Sequence, residues 1–419
     1  MASPRSTPPI LRCLSHRNYA LFEGGLLPNY LTGWMQRVGA GWLAWDLTHS
    51  PVWLGAVAAA DLAPMIVLAP IAGAWTDRVN PLPLIRLAQA ALALQAILLA
   101  VLTAAGLMTI EILFALSVFA GFVFPFHSTA RQSIIPAVVP REDFAAGVAL
   151  DSASFHSSRF VGPAVAALVI PVWGVLGTFV LHVGGSLVCL AALAALRLAP
   201  PDRSGVRKGA LLADVAESFR YAAAHAGLRP LLVMLVFASL SVRPLQDMLP
   251  GFAGAVFDNG ATGLAWLTSA VGLGAMSGAF YIAARGALSG LTRVAILGYA
   301  GTALAALGFV ATDNVWVGLA FAAMTGFCIN VMSTSTQALM QFAAQDRMRA
   351  RVMSLYLLIF RGVPAFGALA IGTLADVTGL RFAFGAAAAA CLAVLVFVLP
   401  TRARMAQALE TPPQAKTVE

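Results

Sequence analysis

Apolar residues occur along this chain in long blocks, and short polar gaps separate the blocks. Each block approaches the roughly 20 residues that a helix needs to cross the hydrocarbon core of a bilayer. In lipid the backbone must satisfy its own hydrogen bonds, so blocks of this length indicate helices. The short alternating segments of an outer-membrane barrel do not occur. The pattern predicts twelve spans, at 20–45, 51–75, 83–105, 110–130, 145–171, 174–197, 230–256, 262–284, 292–311, 314–341, 350–378 and 380–400.

One polar gap is longer than the others and divides the spans into two sets of six. It opens with two prolines and a glycine, which favour a flexible turn. From Leu211 apolar residues recur every four positions, which is typical of a short amphipathic helix on the membrane surface, although an ordinary solvated linker remains an alternative. We expect an N-terminal segment 1–17, a bundle at 18–198, a linker at 199–229, a second bundle at 230–400 and a tail at 401–419.

The composition excludes an ordinary soluble domain. Of 419 residues, 60% are hydrophobic and 11% are charged, whereas soluble domains carry about 25% charged residues. The net charge of +8 comes from residues in the short gaps, without interleaved aromatics, so we expect a lipid bilayer and no nucleic acid as partner. The four cysteines are far apart and show neither a disulfide framework nor metal-ligand spacing. The first apolar block is too long and too polar for a cleaved signal peptide.

The distribution of basic residues predicts the orientation in the membrane. Gaps taken alternately from the N-terminus hold 21 of the 26 basic residues, including Arg131, and the other gaps hold only Arg381. Basic residues concentrate in cytoplasmic gaps, so we expect both termini in the cytoplasm and an even number of spans. This is the arrangement of a multi-pass protein of a bacterial-type inner membrane.

Several short motifs follow one another from Leu14 to Arg381, and their order and spacing identify the chain more specifically than any one of them. The motifs are Trp34–Val38, Gly73–Arg78, Ala130–Gln132, Val139–Asp143, Ala149–Phe155, Arg159–Ala164 and Arg351–Tyr356. By these motifs the chain resembles the major facilitator superfamily, in particular the drug:H+ antiporter branch with enterobactin exporters and macrolide efflux pumps, the transmembrane secretion effectors. The resemblance implies an all-α membrane protein with twelve transmembrane helices in two pseudo-symmetric six-helix bundles.

The gap after the second span carries the superfamily's signature loop, with Gly73, Asp77 and Arg78. The resemblance implies that these residues form a latch that holds the two bundles together in one conformation. The match ends at Asn80-Pro81, where the family usually has Gly-Arg. A plain cytoplasmic turn with one interfacial arginine is the alternative.

The two halves of the chain share a short internal repeat. Arg159 and Arg361 each precede a Pro-Ala pair by three or four residues, on the fifth and eleventh spans. Parallel repeats of this kind occur in transporters that bind substrate near the bilayer midplane. We therefore expect both arginines to border a central cavity.

Charged residues inside the spans are the main functional candidates, because a charge in hydrocarbon is costly and usually faces a partner or a cavity. The basic set is Arg37, Arg159, Arg243 and Arg361, and the acidic set is Glu23, Asp61, Asp151 and Asp247. Arg37 and Asp61 lie at the same depth on neighbouring spans, and Arg243 and Asp247 are four residues apart, so structural pairing and function both remain open.

A proton-coupling acid has to change its surroundings during transport. Glu23 and Asp151 lie close to the predicted cytoplasmic ends of their spans, where we expect water to reach them in every state. Asp61 and Asp247 lie deeper, one in each bundle, and are the better candidates. Asp61 ranks first, with a permanent salt bridge to Arg37 as the alternative.

Three polar residues within spans add to the candidate cavity. His156 could relay protons, or could only line the cavity as a polar residue. Asn330 and Gln337 are seven residues apart on one helix face, where they could hydrogen-bond a substrate or join neighbouring helices.

These observations favour a secondary active transporter that exports an amphipathic small molecule in exchange for protons. No P-loop occurs, so ATP hydrolysis by this chain is not indicated. An importer of the same fold remains open, and a sensor or scaffold would be expected to carry a soluble domain. The histidines are too scattered for a membrane enzyme, and we expect no cofactor, no metal and a monomer.

The charge pattern makes a direct topological prediction. Reporter domains fused after Thr48, Arg78, Asp258 and Thr401 should report outside, inside, outside and inside, respectively. The reason is the excess of basic residues in alternate gaps. A C-terminal reporter found outside would contradict the topology.

Overall fold

The computed structural model describes residues 9–76, 78–198, 211–285 and 288–411. Within those ranges all regular structure is helical. A π-helical segment spans Phe252–Val256, and short 3-10 turns span Arg141–Asp143 and Leu399–Thr401. The α-helices are α1 (Pro9–Ser15), α2 (Arg17–Thr48), α3 (Pro51–Thr76), α4 (Pro81–Ala104), α5 (Ile110–Val138), α6 (Phe144–Ala195), α7 (Leu211–Ala224), α8 (Leu228–Ser241), α9 (Leu245–Gly251), α10 (Gly260–Arg285), α11 (Leu291–Ala311), α12 (Val315–Ala343), α13 (Asp346–Thr378), α14 (Leu380–Val398) and α15 (Arg402–Glu410).

The described residues include ten helical stretches that are long and apolar enough to cross a bilayer. One of them, Leu228–Val256, combines α8, α9 and the π-helical segment. The 32-residue α2 is outside this set and carries Glu23, Arg37 and Asp46 among its apolar residues. An all-α membrane protein is therefore confirmed, and the count of twelve spans stays a prediction.

Helix α6 is a hairpin of two arms rather than one straight rod. Its 52 residues contain a single non-helical residue, Gly174, with φ 64° and ψ −174°. Such a positive φ favours glycine, which has no Cβ to clash with the backbone. Residues 144–173 form the first arm and residues 175–195 the second.

Contacts with α2 show that the two arms run in opposite directions. Along α2 the partners on the first arm ascend in number, and the partners on the second arm descend. The contacts that show this order are Tyr19 with Gly147 and Tyr30 with Asp151 for the first arm, and Gly25 with Cys189 and Thr32 with His182 for the second. A single residue thus reverses the chain between two long apolar helices.

Helix α5 extends beyond its predicted end. The apolar block suggested an end at residue 130, but the helix continues to Val138. Arg131 therefore lies inside a helix and is only 9% exposed, so its assignment to a polar gap was wrong. The physical reason is its ion pair with Asp151 of α6, which compensates the buried charge.

The chain divides into two compact units, Met1–Leu47 with Pro64–Arg207, and Thr48–Ala63 with Lys208–Glu419. Helix α3 contributes residues to both units. The first unit otherwise contains α1, α2, α4, α5 and α6, and the second contains α7 to α15.

In the first unit, Asp143 anchors the short helix α1. The Arg12 Nε–H donates to Asp143 Oδ1 at 2.7 Å, and His16 Nε2 lies 2.9 Å from Asp143 Oδ2. The Cys13 thiol lies 3.5 Å from the Asp143 carbonyl oxygen. The hydrogen bond from Arg12 and that from His16 hold the pKa of Asp143 below its usual value. The anchor is therefore complete at neutral pH and is lost only when acid protonates Asp143, below its usual range of about 4.

In the second unit, the C-terminal helix α15 caps another helix. The Glu410 carboxylate accepts hydrogen bonds from the Gly290 and Thr292 backbone N–H groups, at 2.6 and 2.9 Å. These groups belong to the first turn of α11, where the helix leaves N–H groups unsatisfied and favours negative charge. Met405 and Leu409 of α15 are fully buried, which holds the carboxylate in place.

Replacement of Asp143 by Asn should release α1, because the amide carries no charge for Arg12 and His16. Cys13 is fully buried in the anchored helix, so its labelling by a water-soluble maleimide should become several-fold faster. The matched control is Glu142→Gln, which removes the same charge from an exposed neighbour and should leave the labelling rate unchanged. Equal rates in Asp143→Asn and the parent chain would contradict the anchor.

Candidate functional site

The first unit contains a buried ion pair between α5 and α6. The Arg131 guanidinium hydrogen-bonds both carboxylate oxygens of Asp151. The two residues are 9% and 4% exposed. The Tyr30 hydroxyl of α2 donates to the same carboxylate at 3.2 Å. Removal of either charged partner would leave the other buried and uncompensated, so this pair ties three helices together.

Arginine and aromatic side chains continue from the ion pair along α2 and the first arm of α6. The Arg131 guanidinium carbon lies 5.6 Å from the Tyr30 ring centroid and 5.9 Å from that of Phe155. The Phe155 ring contacts Tyr30 edge-on at 5.3 Å and Trp34 at 6.3 Å. Cation–π attraction and edge-to-face packing both stabilise such an arrangement.

Two further guanidinium groups lie against the same tryptophan. Arg159 of α6 is 5.6 Å from the Trp34 ring and Arg37 of α2 is 5.9 Å from it. Trp34 is therefore the point where both sequence-predicted arginines of this unit meet. We call the whole set the arginine–aromatic row, and it consists of Arg131, Tyr30, Phe155, Trp34, Arg159 and Arg37.

Helical spacing explains why the row forms. Asp151, Phe155 and Arg159 follow one another at four-residue spacing and so share one face of α6. Tyr30, Trp34 and Arg37 share a face of α2 in the same way. The three- and four-residue spacing of charged and aromatic residues was visible in the sequence, although the prediction singled out only Arg37 and Arg159 of the row.

Gly162 lets the two faces approach each other. A Cβ atom at this position would lie 2.6 Å from the Trp34 Cβ and 2.7 Å from the Leu31 carbonyl oxygen. Neither distance is sterically tolerable, and one of the atoms belongs to helix backbone. Any larger residue would push α2 away from α6 and disperse the row.

Glu23 lies near the start of α2 and is only 4% exposed. In the described part of the chain its carboxyl group faces the neutral Ser154 hydroxyl and has no cation bound to it. The expectation that water reaches Glu23 and Asp151 in every state is therefore wrong. The reason is that α1 and the extended end of α5 cover this end of the unit with a core that includes Cys13, Phe22, Ile134 and Val138.

A neutral hydrogen-bond network joins α2, α4 and the second arm of α6. The Asn29 side-chain oxygen accepts from the Gln89 amide and the Ser186 hydroxyl, both at 3.1 Å. His182 Nδ1 lies 3.1 Å from the Thr32 hydroxyl. The sequence pattern does not mark these residues, because single amides and hydroxyls in apolar blocks have no distinctive spacing. Their hydrogen bonds join three helix segments, so assembly of the bundle accounts for them.

In the second unit Arg243 lies over an aromatic ring. Its guanidinium carbon is 3.9 Å from the Phe360 ring centroid, and Phe360 stacks on Tyr356 at 5.3 Å. Arg243 occupies a break in the helix between α8 and α9, next to Pro244. Asp247 follows in the first turn of α9, and Arg361 follows Phe360 on α13.

The other candidates are placed as follows. Asn330 and Gln337 lie half-buried on α12, and the Asn330 side-chain oxygen accepts from the Thr334 hydroxyl at 3.4 Å. Gly73 is in α3 with open space beside it, and Arg78 is exposed in the turn that follows. Asp77 and the side chain of His156 lie outside the described residues. The latch thus stays a prediction.

Arg37 and Asp61 fall in different units, so their pairing stays a prediction, as does that of Arg243 with Asp247. The central cavity expected beside Arg159 and Arg361 also stays a prediction. Among the described residues no group of three or more His, Cys, Asp or Glu could hold a metal ion.

Similarity to known proteins extends over nearly the whole chain. Residues 20–419 match the family described as transmembrane secretion effector. The multidrug efflux pump Tap of Mycolicibacterium fortuitum is 28% identical over 363 residues, which are 82% of this chain and 85% of that protein. The staphyloferrin A transporter of Staphylococcus aureus is 22% identical over 369 residues, which are 84% of this chain and 88% of that protein.

A solved transporter shares the fold. A bacterial homologue of the human lysosomal transporter Spinster, in an inward-facing and occupied conformation, superposes with a TM-score of 0.68 at 14% identity. The match covers 96% of this chain and 99% of that chain. At this identity the likeness shows the fold alone.

Replacement of Arg131 by Leu should lower the free energy of unfolding by about 3 kcal/mol, because it leaves Asp151 buried without its cation. The double variant Arg131→Leu with Asp151→Leu should recover part of that loss. Thermal unfolding of the detergent-solubilised protein measures both.

The control is Arg381→Leu, which breaks an ion pair with Asp313, whose side chain is 86% exposed. Exposed pairs contribute little, so this change should stay within about 1 kcal/mol. Equal losses in Arg131→Leu and Arg381→Leu would show that burial of the first pair has no energetic consequence.

Proposed function

Because the chain belongs to the transmembrane secretion effector family of the major facilitator superfamily, we propose that it exports an amphipathic small molecule in exchange for protons. Membership makes the protein a multi-pass membrane transporter rather than an enzyme. Export is supported by the likeness to the multidrug efflux pump Tap. The staphyloferrin A transporter is a second relative, so we place both drugs and siderophore-like molecules within the proposed range.

The arginine–aromatic row is the structural observation that carries the proposal. It presents flat apolar rings beside cationic groups, within one unit and along two helix faces. An amphipathic molecule offers an apolar body to such rings and an anionic or hydrogen-bonding group to the guanidinium groups. Arg243 on Phe360 repeats this chemistry in the second unit.

Coupling and conformational change are proposed on the family pattern. Asp61 and Asp247 are proposed as proton carriers, since each is an acid within a span and has an arginine as its candidate partner. Gly73, Asp77 and Arg78 are proposed as the latch between conformations, with substrate reached from alternate sides in turn. We further propose a monomer with both termini in the cytoplasm.

The row should be needed for export. In a strain that lacks its major pumps, the parent chain should lower accumulation of fluorescent amphipathic dyes, and a protonophore should abolish this effect. Trp34→Ala should reduce the efflux rate about tenfold, since it removes the ring that orients Arg37 and Arg159, a contact of about 1–2 kcal/mol.

The matched control is Trp173→Ala, because that tryptophan belongs to the same unit but is 63% exposed at the α6 hairpin. Its efflux rate should equal that of the parent at equal expression. Dye accumulation that rises above the empty strain would contradict export and would favour the importer.

A further inference from the structure

The buried cluster at the start of α2 contains more negative than positive charge. Glu23 and Asp151 supply two carboxyl groups, whereas Arg131 supplies one guanidinium. Both acids are 4% exposed and Arg131 is 9% exposed. If all three were ionised, an uncompensated negative charge would remain in a dry part of the membrane domain, at a large cost in free energy.

Polar and charged groups from α2, α5 and α6 face Glu23. Asp151 and Ser154 face it from α6, Arg131 from α5, and Tyr19 from one turn earlier on α2. The Tyr19 hydroxyl donates its proton to the Gly147 carbonyl oxygen at 2.8 Å and so does not donate to Glu23. None of these neighbours therefore supplies a second cation for Glu23.

The two acids do different work. Asp151 binds Arg131 through both oxygens and also accepts from Tyr30, so its negative charge is compensated. Glu23 has no cation bound to it among the described residues, and the hydroxyl that faces it, Ser154, is neutral. A proton on the Glu23 carboxyl group removes the excess negative charge, and it does so at the acid whose charge no cation compensates.

His127 is a further buried group near Arg131 that could bind a proton. It is 3% exposed and lies one turn before Arg131 on α5. A proton there would place a second positive charge beside the Arg131 guanidinium, which opposes it. The geometry therefore favours Glu23 over His127.

We propose that Glu23 is a proton-binding site of this transporter, protonated while the cluster is closed to water. The inference rests on the proposed proton-coupled export. On binding, a proton from water forms an O–H bond with the Glu23 carboxylate. When the cluster opens, that bond breaks, the proton passes to water on the other side, and the water that enters solvates the Glu23 carboxylate that remains. No other bond changes.

Infrared titration of the purified full-length protein tests the site directly. At neutral pH the parent should show the band of a protonated carboxyl group, and Glu23→Gln should lack that component. Glu142→Gln removes an exposed acid and is the matched control, so its spectrum should equal that of the parent.

Asp151→Asn is a second variant, in case Glu23→Gln does not fold. With Asp151 neutral, Arg131 and Glu23 balance each other, so the same band should be lost although Glu23 is present. His127→Asn should keep the band. A neutral-pH spectrum that is unchanged in both Glu23→Gln and Asp151→Asn would overturn the proposal.

Transport in reconstituted vesicles is a second, independent test. Glu23→Gln should lose export driven by a pH gradient but retain exchange of labelled for unlabelled dye, which needs no net proton movement. Asp61→Asn, measured in the same assay, compares the contribution of Asp61 to gradient-driven export with that of Glu23. Full gradient-driven export by Glu23→Gln would remove Glu23 from coupling.

The two proposals fail in different ways. If the parent exports nothing under a pH gradient, the proposed function fails, while the infrared band still decides whether Glu23 binds a proton. If the parent exports and the Glu23 band is missing, the proton site fails and the function stands.

Discussion

Compensation of buried charge is the constraint on which the first unit depends. Arg131 enters the membrane domain because Asp151 binds it with both oxygens and Tyr30 contributes a third contact. That requirement holds α2, α5 and α6 at a fixed separation. The row of rings and guanidinium groups then follows from the same helix faces, and Gly162 permits the distance at which they meet.

The sequence predicts elements well where the signal is long and repetitive. Apolar blocks located the long helices, including both arms of α6 on either side of Gly174. The end of α5 was mistaken because a charged residue usually marks the end of a span, and only a tertiary partner on α6 allows Arg131 to lie deeper. Sequence spacing cannot reveal such a partner when it is 20 residues away on another helix.

Individual site residues were less predictable than helices. Arg37 and Arg159 were found because a charge in an apolar block is conspicuous, whereas Trp34 and Phe155 stood in the sequence only as members of motifs, without a predicted role. Their role depends on which face of the helix meets which neighbour. The short distance of Glu23 from the end of its span predicts contact with water. Its exposure instead depends on α1 and α5, two other helices that cover it.

The α6 hairpin has a consequence for biosynthesis. Between its arms the chain has no polar loop: Val172, Trp173 and Gly174 lie between two apolar helices. The first arm carries Asp151 and Arg159 into the membrane after α2 and α5, which hold their partners Tyr30, Trp34 and Arg131, have been synthesised. A tight reversal lets the second arm follow at once, so the translocon can release both arms as one unit. The compensating partners are therefore already present when these charges enter the membrane, whereas a long polar insertion at Gly174 would separate the entry of the second arm from that of the first.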